Sequence, residues 1–507
     1  MSKAVQATIR LAPEDNVVVA RVELEPGVRP PGENCAANAA IPAGHKLAVR
    51  AIATGEPIIK YGQIIGFAAS PIAPGDHVHV HNVEMRAFER SARSAAPKWA
   101  APSLAPVTFQ GYPRSNGKFG TRNCVAVIAT VNCASTVVRQ IGAAFSRAED
   151  LRAFPNVDGV AALAHTSGCG MQAGGPGHAI LKRVIEGYAA HPNVAGALLV
   201  GLGCEVNQTA AIIEDIKAAP HANVRAMNIQ EAGGTRSTVD RGVAIVREML
   251  EQANAVSRQE APASQLALGL QCGGSDGYSG IGANPALGVA ADLLVAAGGT
   301  AILSETPEIY GAEHLLIARA RSEAVAEKLR ARIEWWQDYV ARNRGELNNN
   351  PSPGNKAGGL TTIMEKALGS AAKGGSSPLV DVYEYAERLC ERGFVFMDSP
   401  GYDPASATGQ IASGANLVCF TTGRGSVFGS RPAPCVKVAT NTPMYDRMRE
   451  DMDVNCGRII DGSSSVAEMG QEIFNLLLAV ASGERTKSEL LGFGDEEFVP
   501  WQIGAVM

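Results

Sequence analysis

The chain has 507 residues, of which 46% are hydrophobic and 19% are charged, and its net charge is −5. This length exceeds a single ordinary core and predicts two or three domains of a globular protein. The chain has no basic stripe, so nucleic acid is not expected as a partner. It has no apolar run of roughly 20 residues, so a membrane is not expected as a partner either. Because the N-terminus lacks the apolar core of a secretion signal, we expect a cytoplasmic protein whose ten cysteines serve packing, metals or catalysis.

Residues 1–92 predict a small all-β module. Short strand candidates cover residues 16–24, 45–53 and 56–70, and the last contains a turn at Tyr61-Gly62. An Ala-, Pro- and Ser-rich stretch follows and is interpreted as a linker over residues 93–109.

Three of the nine histidines lie in "GDHVHVHN", where His77, His79 and His81 alternate with valines. In a strand these three side chains would share one face. Two imidazoles can reach one divalent ion, and imidazole suits iron, zinc, nickel and copper. The alternative is a solvent-exposed polar face that happens to be rich in histidine.

From residue 110 onward, apolar runs repeatedly end in small or polar residues, as in "CVAVIATVNCAS" and "QLALGLQCGGSD". Such runs are typical of parallel strands covered on both faces, and ligands bind outside the carboxyl ends of these strands. We predict two Rossmann-like α/β units with largely parallel sheets, over residues 110–262 and 263–507. One long helix is expected over residues 312–343, and Pro and Gly argue against a helix in 347–360.

Four cysteines each follow an apolar strand, which suggests a shared cleft with a metal or substrate; they are Cys133, Cys169, Cys204 and Cys272. The alternative is separate buried thiols. His165 shares a short loop with Cys169, and Glu305 ends another strand as a possible ligand or base. No CxxC pair supports a zinc ribbon or a redox dithiol.

Several loops carry groups suited to a polar or anionic ligand. The stretch "QCGGSDGYSG" resembles a glycine-rich cradle without the lysine of a nucleotide-binding loop, and it offers Ser275 and Asp276 to hydroxyl groups. Arg424 in "TTGRGS" is suited to hold a carboxylate, and Arg122 with its basic neighbours Arg114 and Lys118 also predicts an anionic ligand.

Long stretches of the chain resemble a known family. Its N-terminal part is similar to the SAF-type β-clip module of sugar-acid dehydratases. The rest resembles the altronate/galactarate dehydratase family through "GKFGTRNCVAVIATVNCA", "HTSGCG", "LQCGGSDGYSGIGANPALG", "NNNPSPGNKAGGLTTIMEKALG" and "NTPMYDRMREDMDVNCG". The resemblance implies a metal-dependent hydro-lyase, typically with ferrous iron, that converts a hexonic or hexaric acid into a 3-deoxy-2-keto acid.

The family's HxHN pattern falls on His79, His81 and Asn82, whereas His77 lies where relatives often carry another residue. We therefore expect metal ligands among His79, His81, Cys133, Cys169 and Cys272. The expected general bases are His165, Lys46 and Lys60, and the expected substrate contacts are Arg122, Arg424, Asn82, Ser275 and Asp276.

Some alternatives stay open at this stage. The metal could be mononuclear Fe2+, another divalent ion such as Mn2+, or an iron–sulfur cluster held by strand-end thiols. The reaction could instead be the elimination of sulfite, as in sulfolactate sulfo-lyases that resemble this family, or the protein could bind sugar acids without catalysis. A homodimer is expected for a lyase of this size. The motifs do not separate monoacid from diacid substrates.

Overall fold

The fold is described from a computed structural model covering residues 6–86, 88, 92–94, 99–147, 149–217 and 223–506, with the side chain of Lys217 excepted. The middle of the predicted linker, residues 95–98, lies outside the described residues. No helix in the described part of the chain is long and apolar enough to cross a membrane.

The N-terminal part is all β, as predicted. Two antiparallel sheets have the strand orders β1-β2-β3-β6 and β4-β5-β7. The strands are β1 (Thr8–Ile9), β2 (Val17–Ala20), β3 (Lys46–Ala48), β4 (Pro57–Lys60), β5 (Gln63–Ala68), β6 (His77–Val78) and β7 (Val83–Glu84). The turn between β4 and β5 is at Tyr61-Gly62, with φ values of 63° and 67°, as expected for a tight hairpin turn with both central residues at positive φ.

The strand expected to carry all three histidines is shorter than predicted. It ends at Val78, and the chain turns over residues 79–82. Asn82 shapes this turn, since its Oδ1 accepts the His79 backbone N–H at 2.9 Å and its Nδ2 donates to the His77 carbonyl at 3.0 Å. Val80 is consequently 47% exposed and does not face the module's core.

The second part contains a parallel four-stranded sheet of order β11-β10-β12-β13 and a small antiparallel sheet of order β14-β8-β9. The strands are β8 (Thr108–Pro113), β9 (Phe119–Gly120), β10 (Cys124–Ala129), β11 (Gly159–Leu163), β12 (Val194–Gly201), β13 (Asn223–Asn228) and β14 (Gln259–Pro262). The helices are α1 (Ser135–Ala143), α2 (Pro176–Ala189), α3 (Thr209–Lys217) and α4 (Thr235–Asn254). Strand β8 begins at Thr108, inside the stretch predicted to be linker.

The third part is built on a parallel seven-stranded sheet of order β17-β18-β16-β15-β19-β20-β21. The strands are β15 (Ala267–Cys272), β16 (Thr300–Leu303), β17 (Leu379–Tyr383), β18 (Gly393–Met397), β19 (Leu417–Thr422), β20 (Cys435–Ala439) and β21 (Val454–Asn455). The helices are α5 (Ala283–Ala296), α6 (Glu313–Ala318), α7 (Glu323–Arg342), α8 (Pro353–Ala357), α9 (Ile363–Ala371), α10 (Asp403–Ser413), α11 (Thr442–Arg447), α12 (Gly457–Ile460), α13 (Val466–Ala481) and α14 (Lys487–Leu490). The two parallel sheets confirm the predicted fold class.

Two helix predictions were wrong. The single helix expected over residues 312–343 is divided into α6 and α7, because Ala320 pairs with Leu379 and Ser322 caps α7 by accepting the Val325 N–H. The stretch 347–360 does contain one helical turn, α8. Pro353 occupies its first turn, where the missing N–H costs nothing, and Ser352 with Asn355 forms a capping box.

Adjacency in the large sheet brings polar residues from distant parts of the chain together. Strands β16, β15 and β19 are neighbours, and their carboxyl ends lead into Glu305, Cys272 and Arg424. The strands themselves are almost entirely buried, so their chemistry is confined to this edge.

Candidate active site and metal centre

A buried thiol–carboxylate group lies at the carboxyl edge of the large sheet. Cys272, Glu305 and Glu308 each offer a ligand atom within 4.8 Å of the others. Among the described residues it is the only group of three His, Cys, Asp or Glu side chains that meets this distance. Cys272 ends β15, whereas both glutamates come from the turn of 3-10 helix that follows β16.

Glu305 has the features of a functional residue. Its backbone adopts φ 72°, a conformation that costs a non-glycine residue about 1–3 kcal/mol. Its side chain is 1% exposed, and neither carboxylate oxygen has a hydrogen-bond partner among the described residues. Burial, followed by the charge of Glu308, raises the pKa of Glu305 well above its usual value. Such a strained, unpartnered carboxyl group persists only where the surrounding structure imposes it.

Two buried lysines accompany this group. Lys373 Nζ donates to Cys272 Sγ at 2.9 Å and lies 3.9 Å from Glu305 Oε2. Lys366 Nζ donates to Glu308 Oε1 at 2.5 Å and to Asn350 Oδ1 at 2.7 Å. Burial alone would lower the pKa of both lysines, but nearby groups outweigh it. Glu308 is the main group that raises the pKa of Lys366. Cys272 and Glu305 are the main groups that raise the pKa of Lys373.

Asp403 lies where this buried group approaches the surface. It opens α10 directly after Gly401 and Tyr402, both exposed, and Gly401 is in contact range of the Glu308 side chain. Burial and then the charge of Glu308 raise the pKa of Asp403 to about 7. Its carboxylate makes no hydrogen bond with the described residues and is therefore available to bind a ligand. We call Cys272, Glu305, Glu308, Lys366, Lys373 and Asp403 the strand-end cluster.

The strand-end cluster fits a divalent metal ion. It offers one thiol and two carboxylates, a donor set suited to a first-row transition metal. The unpaired oxygens of Glu305 are acceptors that the protein itself does not use. The structure therefore contains a possible metal site, formed by Cys272 from the predicted ligand set together with two glutamates.

The predicted bases Lys46 and Lys60 lie in a separate buried ion-pair network with Glu365. Lys46 Nζ donates to both Glu365 oxygens and to the Gly359 carbonyl at 2.6 Å, while Lys60 Nζ donates to Glu365 Oε1 at 2.9 Å. Burial lowers the pKa of Lys46 to about 8, whereas Glu365 outweighs burial and raises the pKa of Lys60. Because all three N–H donors of Lys46 are engaged, the geometry gives both lysines a structural role, joining β3 and β4 to α9.

The histidines form a cluster with one further member, His45. His45 Nδ1 lies 3.0 Å from His77 Nε2, and the His77 ring centroid lies 5.3 Å from that of His79 and 5.5 Å from that of His81. His79 Nε2 lies 2.8 Å from the Lys356 carbonyl. His79 thus contacts α8, and neither His79 nor His81 is in the metal-sized group around Cys272.

Three predicted substrate contacts differ in availability. Asn82 is used by the histidine turn described above. Asp276 accepts four hydrogen bonds, from Tyr278 N, Ser279, Thr440 and Asn441, so it organises its own loop. Ser275 Oγ, in contrast, is buried without a partner among the described residues.

Arg424 and Arg122 have opposite environments. Arg424 is exposed beside Gly274, and its side chain makes no ion pair with the described residues. Arg122 uses all five N–H donors internally: Nε and Nη2 on the Glu489 carboxylate, Nη1 on the Thr121 and Val480 carbonyls, and Nη2 also on the Glu484 carbonyl. A substrate carboxylate would have to displace one of these bonds, and substrate contact by Arg122 stays a prediction.

His165 is also bonded internally. Its Nε2 lies 2.9 Å from the Ala129 carbonyl and its Nδ1 accepts the Ser167 backbone N–H at 3.1 Å. Burial lowers its pKa to about 4. With both ring nitrogens bonded to the backbone, His165 would have to break one of these contacts to transfer a proton, and its role as a general base stays a prediction.

The four strand-end cysteines are divided between two sheets. Cys133, Cys169 and Cys204 are exposed in loops of the four-stranded sheet, whereas Cys272 is buried in the seven-stranded one. Five residues of the two clusters were not predicted from the sequence: Glu308, Lys366, Lys373, Asp403 and His45. The spacing of Glu305 and Glu308, three residues apart after a strand, is the signal that could have revealed the second carboxylate.

Three models of known protein families match the chain. Family descriptions match consecutive parts of the chain: "Altronate/galactarate dehydratase SAF domain" over residues 6–86, "D-galactarate dehydratase/Altronate hydrolase, second domain" over 111–254, and "D-galactarate/Altronate dehydratase, C-terminal" over 263–506. The class is therefore that of the dehydratases, which are hydro-lyases.

The chain is 36% identical to altronate dehydratase of Bacillus subtilis (strain 168) over 486 residues, 95% of this chain and 96% of that protein. It is 36% identical to galactarate dehydratase (L-threo-forming) of Escherichia coli (strain K12), over 88% of this chain and 87% of the relative. The beta subunit of (2R)-sulfolactate sulfo-lyase from Chromohalobacter salexigens is 32% identical over 77% of this chain and 96% of its own length. The chain belongs to the altronate/galactarate dehydratase family.

Proposed function

We propose that the protein removes water from a hexonic or hexaric acid of the altronate or galactarate type and releases a 3-deoxy-2-keto acid, with the strand-end cluster as its reaction centre. Family membership supports the reaction class. The observation that carries the location is Glu305, strained, buried and unpartnered between Cys272 and Lys373.

The chemistry required matches the groups present. The proton to be removed is next to a carboxylate and is only weakly acidic, so the negative charge that develops must be stabilised. Lys366 and Lys373 place two ammonium groups in a buried environment, where such interactions are strong. Asp403, at the exposed edge of the cluster and with its pKa near 7, is the group we assign as the base.

The metal that we propose at Cys272, Glu305 and Glu308 is Fe2+, with Mn2+ as the other divalent ion to test. When bound, it supplies Lewis acidity toward substrate oxygens. Arg424, exposed after β19 at the same sheet edge, is our proposed contact for a substrate carboxylate. We retain Ser275, His79 and His81 as proposed contacts for the rest of the sugar acid, because α8 contacts both loops. Asn355 Nδ2 donates to the Ser275 carbonyl at 2.8 Å, and the Lys356 carbonyl lies 2.8 Å from His79 Nε2.

An anaerobic screen with Fe2+ or Mn2+ tests this function. Altronate, galactarate and other hexonates and hexarates are offered separately, and 2-keto acid is measured. Formation of a 2-keto acid from at least one of them supports the proposal. Sulfite release from sulfolactate, with no 2-keto acid from any sugar acid, would contradict it. The relative rates on altronate and galactarate decide between monoacid and diacid.

We also propose that the chain is cytoplasmic and forms a homodimer. The first rests on its ten unpaired cysteines, which suit a reducing compartment. The second rests on the size of the multi-part chain and is tested by sedimentation analysis of the purified protein.

A further inference from the structure

Three exposed cysteines follow neighbouring strands at the carboxyl edge of the four-stranded sheet, whereas the strand-end cluster belongs to the seven-stranded sheet. Strands β11, β10 and β12 are adjacent and parallel, and Ile128 is in register with Leu163 on one side and Leu199 on the other. Each of these residues is followed within one loop by a cysteine: Cys133 after Ile128, Cys169 after Leu163 and Cys204 after Leu199. Parallel register therefore delivers three thiols to one edge.

Hydrogen bonds hold the three cysteine loops against one another. The Asn132 backbone N–H donates to the Ser167 carbonyl at 2.8 Å, which joins the Cys133 and Cys169 loops. Thr130 Oγ1 donates to Glu205 Oε1 at 2.8 Å, which joins the Cys133 and Cys204 loops. The Cys133 loop thus lies between the other two and is bonded to both.

Glycine makes this close approach possible. Gly168, next to Cys169, has φ 104°, and a Cβ there would lie 2.5 Å from the Thr130 carbonyl oxygen. Gly203, next to Cys204, has φ 124°. His165 contributes to the same assembly, since its carbonyl accepts hydrogen bonds from Asn132 Nδ2 and Ser135 Oγ. The histidine that lacks a free ring nitrogen therefore has a positioning role under the cysteines.

A second observation points to a ligand at this edge. Asn207, three residues after Cys204, is 1% exposed, and its Oδ1 has no hydrogen-bond partner among the described residues. Its Nδ2 donates to the Thr130 carbonyl, the same atom that contacts Gly168. A buried amide oxygen left without a donor requires an explanation, and a bound group carrying a hydroxyl or water would supply the donor.

The spacing of the thiols excludes one kind of ligand, a single tetrahedral ion held by all three. Around one tetrahedral ion with metal–sulfur bonds of about 2.3 Å, three sulfurs lie closer than 4.8 Å to one another. Cys133, Cys169 and Cys204 are all described, yet they form no group at that distance. A cuboidal iron–sulfur cluster binds thiolates that lie farther apart, because each thiolate binds a different iron.

We propose that Cys133, Cys169 and Cys204 bind a [4Fe–4S] cluster through three thiolates, which leaves the fourth iron open to an oxygen ligand. The site is independent of the possible metal site at Cys272 and does not rest on the proposed dehydration.

The test uses the full chain, purified anaerobically and reconstituted with ferric iron, sulfide and a thiol reductant that converts part of the iron to the ferrous state. We expect about four irons and four acid-labile sulfides per chain, with broad visible absorption. Cys133→Ser, Cys169→Ser and Cys204→Ser should each lose more than half of the sulfide. The matched control is Cys390→Ser, an exposed cysteine elsewhere in the fold, which should retain all of it, as should Cys272→Ser.

Absence of acid-labile sulfide after reconstitution would overturn the inference, as would full sulfide retention in the triple serine variant or stoichiometric binding of a single zinc ion without sulfide. Circular dichroism separates loss of the cluster from loss of the fold, and the three positions are exposed, so folding should persist. Dehydration is assayed in parallel: turnover without a cluster would refute this inference alone, whereas a cluster without turnover would refute only the proposed function.

Discussion

Lys373 donates a 2.9 Å hydrogen bond to Cys272, and both side chains are almost completely buried. The two residues come from different elements, the turn that follows α9 and the end of β15. Helix α9 also carries Lys366 to Glu308, so one segment supplies both ammonium groups to the acidic side of the cluster. The cluster is therefore a product of tertiary packing, held by pairs that no short motif contains.

Replacing Glu305 by Gln should separate activity from stability. We expect kcat to fall by at least about 100-fold, as for loss of a group that acts in the reaction. The free energy of unfolding should change little, because the buried carboxyl group has no hydrogen-bond partner among the described residues and only a long ion pair of 3.9 Å with Lys373. Steady-state kinetics and urea denaturation measure the two effects. Glu450→Gln, an exposed carboxylate, is the control, and unchanged kcat in Glu305→Gln would contradict the assignment.

The ionisation of Asp403 should determine how kcat/KM changes with pH on the acidic side of the profile, which we call the acidic limb. A base acts in its deprotonated form, so with a pKa of about 7 the value of kcat/KM should rise as the pH increases through that region. Asp403→Asn should lower kcat by about 10²–10⁴-fold and abolish this limb. The exposed Asp338→Asn is the charge-matched control. If Asp403→Asn kept the wild-type limb, another group would have to be the base.

The sequence predicted the sheets well and the cluster only in part. Apolar strands ending in small residues identified the parallel sheets and placed Cys272 and Glu305 at strand ends. Lys366 and Lys373 were not predicted, because they follow no strand. They reach the site through the packing of α9 against the turn after β16, and of the turn after α9 against β15 and β16. Sheet order, which the sequence pattern does not contain, decides which strand ends become neighbours.

Glu365 should be essential for stability because it neutralises two buried lysines from the N-terminal module. Glu365→Gln would leave Lys46 and Lys60 without their anion, and loss of one member of a buried ion pair costs about 3–5 kcal/mol. We expect the free energy of unfolding to fall by this amount in urea denaturation. Glu334→Gln on the exposed face of α7 should change it little.

A triple variant distinguishes charge imbalance from lost packing. Lys46→Met, Lys60→Met and Glu365→Leu together remove all three charges and keep apolar volume, so stability should recover relative to Glu365→Gln. If the triple variant were as unstable as the single one, the unpaired lysine charges would not be the cause, and the lost contacts of Glu365 would be.

Arg122 and His165 show that residue type alone does not tell how a polar group is bonded. Both follow the expected pattern of a site residue, close to a strand and among glycines. Arg122 donates to Glu489 and to the Val480 carbonyl, which belong to a distant segment. His165 is bonded to the Ala129 carbonyl and to the N–H of the nearby Ser167. Whether a polar group is free is a property of the folded surroundings.

Arg424 should affect substrate binding more than folding. Arg424→Gln removes an exposed guanidinium from the sheet edge that carries the cluster, so we expect KM to rise by about tenfold or more, as for loss of a charge-assisted hydrogen bond. The unfolding midpoint should not change. Arg447→Gln, also exposed, controls for loss of surface charge. Equal KM values in the two variants would exclude Arg424 as a carboxylate contact.

Two buried histidines should make the fold sensitive to acid. Burial lowers the pKa of His165 to about 4 and that of His191 to about 3, and each ring binds backbone atoms through both nitrogens. Between the unfolded value near 6.5 and these folded values, the unfolded chain binds more protons than the native one. Stability therefore falls as the pH decreases through this window, by up to about 1.4 kcal/mol per pH unit for each histidine.

Denaturation of His191→Gln at pH 7, 6 and 5 isolates this effect from the titration of carboxylates. The variant should be less stable than the wild type at pH 7, because two hydrogen bonds are lost, but its stability should decrease less steeply on acidification, by up to about 1.4 kcal/mol per unit. Val184→Ala, a buried substitution without a titratable group, should be destabilised with the wild-type slope. Identical slopes in all three proteins would show that His191 is not held neutral in the fold.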